Sequence, residues 1–150
     1  MKHHLAHLDL ETMVSRDQVV DNATELSANA VKMLDYAYSP DVASQQLCGF
    51  VIPKSAVVGT NSMQIAVVQA DDAGLTTNLE VLALSPAAIV LEEGKPVVVD
   101  VPEASVTKQY VGIRYTFGGT SVTVDAWIAP KQSVVANPYF PNPFPTINTI

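Results

Sequence analysis

Apolar and polar positions alternate with a period of two in much of this chain, the pattern of half-buried β-strands. Met63, Ile65 and Val67 alternate with Gln64, Ala66 and Val68. Asp71-Asp72-Ala73-Gly74 then supplies turn chemistry, with Asp capping and Gly free to take positive φ. Further strands are predicted over 79–84, stopped by Ser85-Pro86, and over 87–91. The turn Glu92-Glu93-Gly94-Lys95-Pro96 leads into 97–101, ended by Pro102. Val111, Ile113, Tyr115 and Phe117 alternate with Gly112, Arg114 and Thr116. Gly118-Gly119 reads as a hairpin turn, joining that strand to one with Val122, Val124, Ala126 and Ile128 on its apolar side. An earlier strand over 47–52 is closed by Pro53. The stretch 24–38 fits either period: Leu26, Ala30, Met33 and Leu34 make one helical face, and 28–33 also alternates as a strand.

Short strands with turn signals every 8–12 residues predict an all-β sandwich or barrel, and the absence of long helical periods between them argues against a parallel βαβ sheet. Three parts are expected: an N-terminal arm over 1–26, a β-sandwich domain over 27–135, and a C-terminal tail over 136–150. The β-branched content, 22 Val, 7 Ile and 11 Thr, suits a pleated, half-buried surface.

Composition narrows the function. The chain is 48% hydrophobic and 15% charged, which excludes a disordered polymer. A net charge of −7 leaves no basic stripe for phosphate binding, so nucleic acid and anionic membrane are poor partners. The longest pure apolar run, about 87–91, is far below the ~18 residues of a spanning helix. Asp9 and Glu11 interrupt the start before an apolar signal region forms, so the expectation is a soluble chain made in a cytoplasm.

Candidate chemistry is sparse. All three histidines, His3, His4 and His7, lie in the first seven residues. Ser-His and Cys-His hydrolases need an imidazole held rigidly beside the nucleophile, and a fraying terminus is a poor place for it. The pairs Asp71-Asp72 and Glu92-Glu93 sit in predicted turns, where adjacent carboxylates usually point apart, whereas glycoside chemistry needs two carboxyls facing each other across a substrate; solvated turn residues are the favoured reading over a catalytic dyad. Ser105-Val106-Thr107-Lys108 has the S-x-x-K spacing of serine acyl enzymes but falls in a loop before a strand, where that chemistry demands a helix start. Cys48, the single cysteine, reads as a buried thiol. No metal, cofactor or catalytic residue is expected. Trp127 lies on the polar side of its strand; it marks either a sugar or protein contact or packing against a second sheet.

The tail is the strongest signal outside the core. Residues 136–150 carry no charge, and 137–145 holds four of the ten prolines. Proline cannot join a central ladder, so this segment is extended, near polyproline II. It carries Tyr139, Phe140, Phe144, Ile147 and Ile150, which must dock on their own domain or on a neighbour.

Several segments together carry a family resemblance. They are Leu8-Asp9 with Met13-Val14-Ser15-Arg16-Asp17-Gln18-Val19-Val20, then Thr24-Glu25-Leu26-Ser27-Ala28-Asn29-Ala30-Val31-Lys32-Met33. Val67-Val68-Gln69-Ala70-Asp71-Asp72-Ala73, Lys95-Pro96-Val97-Val98-Val99-Asp100-Val101-Pro102, Arg114-Tyr115-Thr116-Phe117-Gly118-Gly119 and Val122-Thr123-Val124-Asp125-Ala126-Trp127-Ile128-Ala129 follow. In order and spacing they resemble the Bbp16-type capsid cement (decoration) proteins of tailed bacteriophages, over about residues 8–133. The histidine-bearing start and the Pro-aromatic tail depart from that family's pattern.

The resemblance implies a jelly-roll-like antiparallel β-sandwich with extended N- and C-terminal arms, and a strand over 27–33. It implies a non-enzymatic protein on the outer capsid surface of the virion, binding the major capsid protein and copies of itself as a dimer or trimer. Residues 1–26 and 137–150 are then expected to carry the contacts between subunits, through Val14, Val19, Leu26, Tyr139, Phe140, Phe144, Ile147 and Ile150. Two other readings compete. One is a carbohydrate- or receptor-binding sandwich module of a virion, using exposed aromatics around Trp127. The other is a small carboxylate enzyme, for which the sequence offers only turn acids.

Overall fold

The computed structural model describes residues 13–33, 47–55, 61–102 and 105–130. Within them the chain forms ten strands: β1 (Met13–Val20), β2 (Thr24–Leu26), β3 (Val31–Lys32), β4 (Leu47–Ser55), β5 (Ser62–Ala70), β6 (Glu80–Leu84), β7 (Ile89–Val90), β8 (Val97–Asp100), β9 (Tyr110–Gly118) and β10 (Val122–Pro130). They build two antiparallel sheets. The four-stranded sheet has the order β1-β10-β4-β8; the six-stranded sheet has β2-β9-β5-β6, with β3 lying beside β9 and β7 beside β5. The inner faces enclose one core, in which Val51, Val124 and Ile128 of the first sheet meet Ile65, Val67 and Ile113 of the second. The chain is thus an all-β sandwich, as its period-two pattern predicts.

The strand pairing departs from the predicted one in a consistent way. The strands joined by Gly118-Gly119 do not form a hairpin: β9 pairs with β2, β3 and β5, whereas β10 pairs with β1 and β4. The turn instead carries the chain from one sheet to the other. Gly119 takes a φ of +151°, and a Cβ there would run into the Asn61 side chain. The links β1–β2, β4–β5 and β7–β8 also change sheets, so no two neighbours in the four-stranded sheet are consecutive in the chain.

The expected N-terminal arm is corrected from residue 13 onward. β1 is the outer strand of the four-stranded sheet, with Val14 and Val20 fully buried, and β2 is paired along β9. Apolar alternation here is interrupted by a register shift between Ser15 and Gln18, which hides the strand from a period-two reading. Residues 27–33 give only the short β3, and Ser27–Ala30 make no regular strand. β7 is similarly reduced to two residues, because Ala88 turns at a φ of +54°. Pro53 does not close β4, which runs on to Ser55. It sits where the β10 register slips, and its carbonyl still accepts from Gly94 N at 2.7 Å.

The outer face of the six-stranded sheet is also apolar. Ala66, Val68 and Ala70 of β5 are buried there beneath Leu75, from the 71–79 loop that folds back over them. This explains why the supposedly polar side of β5 is not polar. Gly112 makes that closure possible: a Cβ on it would overlap the Leu75 side chain and lie 2.9 Å from Ser27 Oγ. Gly112→Ala should therefore lower stability by about 1–3 kcal/mol, as overpacking does. Urea unfolding measures this, and an unchanged midpoint would show that the loop yields without loss.

Candidate functional site

Two regions of the surface are built unlike a simple solvated sheet. The first is the outer face of the four-stranded sheet. At one end of it, Trp127 pairs across to Phe50 on β4 and Met13 on β1, and Phe50 pairs on to Val98 of β8. The Phe50 and Trp127 rings lie 5.8 Å apart at 51°, a tilted aromatic contact. Cys48, Ala129 and Ile52 complete the patch. Trp127 does point away from the sandwich core, as its place in the alternation predicts, but only 5% of it is exposed. It neither packs between the sheets nor offers an open sugar platform, and the reading of a glycan module around it loses its footing. Cys48 is buried in the same patch.

At the other end the same face becomes ionic. The β1 irregularity puts Asp17 at a φ of +47°, and its N–H donates to Asp125 Oδ1 at 2.7 Å. Lys54 Nζ donates to Asp17 and lies 3.2 Å from Asp125 Oδ2. The Lys54 hydrogen bond holds the Asp17 carboxyl below its ordinary range, and the two aspartates hold the Lys54 ammonium above its own. This exposed cluster fixes the outer edge of β1. Beside it Val19 is 52% exposed, one of four large apolar side chains so placed among the described residues. The other three, Val81, Leu84 and Val90, lie on β6 and β7, at the opposite side of the second sheet.

The residues expected to form an interface separate under this geometry. Val19 is exposed and Leu26 half-buried. Val14 is corrected: it is fully buried in the core, where it cannot reach a neighbour. Tyr139, Phe140, Phe144, Ile147 and Ile150 lie outside the described residues, as do His3, His4 and His7.

The turn acids prove to be structural. Asp72 accepts from Thr77 N at 2.7 Å, Thr76 N at 2.9 Å and Thr76 Oγ1 at 2.7 Å. Asp71 accepts from Asn78 Nδ2 at 2.7 Å, and Glu92 pairs with Lys95 at 2.9 Å. Ser105 Oγ donates to the Pro102 carbonyl, while Lys108 Nζ donates to the Asn78 carbonyl and lies 3.4 Å from Glu80. The S-x-x-K spacing thus serves two separate loop contacts. Sequence reasoning passed over Gln69, which is buried and fully engaged. Its Oε1 accepts from Thr107 N and Lys108 N, and its Nε2 donates to Glu80. Among the described residues no group of three or more His, Cys, Asp or Glu is placed to hold a metal ion.

Backbone donation from Thr77, then the Thr76 hydroxyl, lowers the Asp72 pKa to about 2. A depressed folded-state value means stability that is present above the ordinary carboxyl range and lost as pH falls toward 2. Unfolding midpoints followed from pH 5 to pH 2 should decline across that window. Asp72→Asn should flatten part of the decline; an identical pH profile in the variant would show that the cap does not contribute. No protein-family model matches the chain, and no curated protein matches it.

Proposed function

We propose that this protein is a capsid decoration protein, binding the outer surface of an expanded phage head and stabilising it through the major capsid protein and neighbouring copies. The observation that supports this most is where the family-like segments fall. Residues 13–20, 24–33, 67–73, 95–102 and 114–129 supply β1, β2 and β3, the end of β5 with its turn, β8, and most of β9 and β10. The resemblance is therefore carried by the strands and turns of one sandwich, consistent with the jelly-roll-like body it implies.

The physical requirements agree. A cement protein works through surface contacts, each weak, whose number and fixed geometry raise the effective concentration of every further contact. A rigid body with an exposed apolar edge suits that task. Val19, held at the β1 edge by the Asp17–Lys54–Asp125 cluster, supplies such an edge.

Purified protein should co-sediment saturably with expanded heads stripped of their decoration, and not with unexpanded shells. Val19→Asp should keep the β-rich circular dichroism spectrum and weaken binding by roughly tenfold, the loss of one buried apolar contact. A folded protein that fails to sediment with expanded heads would contradict the assignment.

A further inference from the structure

We propose that the outer face of the six-stranded sheet, along its β6–β7 side, docks a protein partner that presents a carboxylate between apolar side chains, and that Arg114 receives that carboxylate. Four strands bring the site together in one row. Leu26 of β2 lies opposite Arg114 of β9, Arg114 opposite Ala66 of β5, and Ala66 opposite Leu84 of β6. Directly opposed residues on neighbouring strands point to the same side of a sheet. Ala66 belongs to the outer-face cluster, so the whole row faces outward. The register shift between β5 and β6 leaves Leu82 and Ala83 both against the core and returns Val81 to the outer face, opposite Val68. Val90 of β7 lies outward too, next to Ile89, which opposes the core residue Met63.

Val81, Leu84 and Val90 are 42%, 56% and 61% exposed, three of the four large apolar side chains so open among the described residues. Single exposed apolar residues are ordinary; three gathered on one side of one face mark a contact surface.

Arg114 gives this surface its preference. It is half-buried. The ion pairs among the described residues are made by Lys54, Lys95 and Lys108, and no carboxylate among those residues is joined to Arg114. No Asp or Glu stands at an outward position of β2, β5, β6 or β9. In a chain of net charge −7, this face therefore carries a cation among apolar neighbours. A partner that covered it without an anion would strand a desolvated charge, which is strongly unfavourable. A carboxylate instead accepts two parallel N–H bonds from the guanidinium fork. A second copy docking through the same face would bring arginine against arginine with no acid between them. The surface thus favours an acidic, apolar protein partner and disfavours itself. The inference rests on exposure and charge and stands apart from any capsid role.

The probe is a pentapeptide, leucine-serine-glutamate-serine-leucine, blocked at both ends. When extended, its leucines and glutamate share one side, with the leucines about 14 Å apart at ~3.4 Å per residue. Leu26 and Leu84 are three strand spacings apart, also about 14 Å at ~4.8 Å each. Titrated into the full-length protein, the peptide should shift the NMR resonances of Arg114 Nε–H and of the Val81, Leu84 and Val90 methyl groups. Its glutamine counterpart should bind at least about fivefold more weakly. Arg114→Gln should remove that difference. Leu84→Ser, at an exposed position that leaves the fold intact, should weaken both peptides alike. Equal affinity for the two peptides in the unsubstituted protein, or an absence of shifts at this face, would overturn the proposal. So would shifts of the same resonances with protein concentration alone, which would assign the face to a second copy.

Discussion

The sandwich depends on a buried polar link between its two sheets. Ser15 of β1 and Tyr115 of β9 meet at 2.7 Å in the core, with no solvent contact on either. Ser15 Oγ donates onward to Gln18 Oε1 at 2.6 Å, so its single proton is spent there and Tyr115 is the donor to Ser15. Burial pushes the Tyr115 phenol well above its ordinary range, which keeps it a donor. Gln18 then donates to the Leu26 carbonyl and accepts from Ala28 N, both at 2.9 Å. One connected set of hydrogen bonds thus ties β1 in the first sheet to β9 in the second, and to the chain beyond β2. A buried hydroxyl without a partner is destabilising by about 1–3 kcal/mol, so the members of this set hold one another in place.

That link decides what counts as body and what as arm. The irregular stretch from Ser15 to Gln18 lets Ser15 turn inward while Asp17 turns outward to Lys54 and Asp125. The same few residues therefore lock the core and set the outer edge that presents Val19. Both sheets are apolar on both faces over part of their area, and on the six-stranded sheet the 71–79 loop covers the outer face through Leu75. This leaves little open apolar surface, confined among the described residues to Val19 and to the β6–β7 side. A protein proposed to bind a shell only at chosen contacts is served by such economy.

The sequence made the strands legible and their partners much less so. Period-two alternation located β5, β9 and β10 to within a residue or two, because each buries one face in the core. Alternation reports which face is buried, not which strand lies alongside. A Gly-Gly turn satisfies a hairpin and a crossing between sheets equally, and β9 and β10 took the crossing. β1 was missed because its irregularity breaks the period, and because Ser15 and Gln18 look like surface residues until Tyr115 is brought to them. Trp127 was correctly placed on the outward side. Its burial was not legible, since Phe50, its partner in the patch, is 77 positions earlier in the chain.

The central physical claim is that Ser15 and Tyr115 act as one unit joining the sheets. A double-mutant cycle with Ser15→Ala, Tyr115→Phe and the combined variant, followed by urea unfolding, measures this directly. The account predicts a coupling of about 1 kcal/mol or more between the two sites, because Ser15→Ala strands the buried Tyr115 hydroxyl, a group that the double change removes, while Tyr115→Phe takes from Ser15 Oγ the donor that joins it to the second sheet. Losses that add to within ~0.3 kcal/mol would show that the two residues contribute independently, and would contradict it.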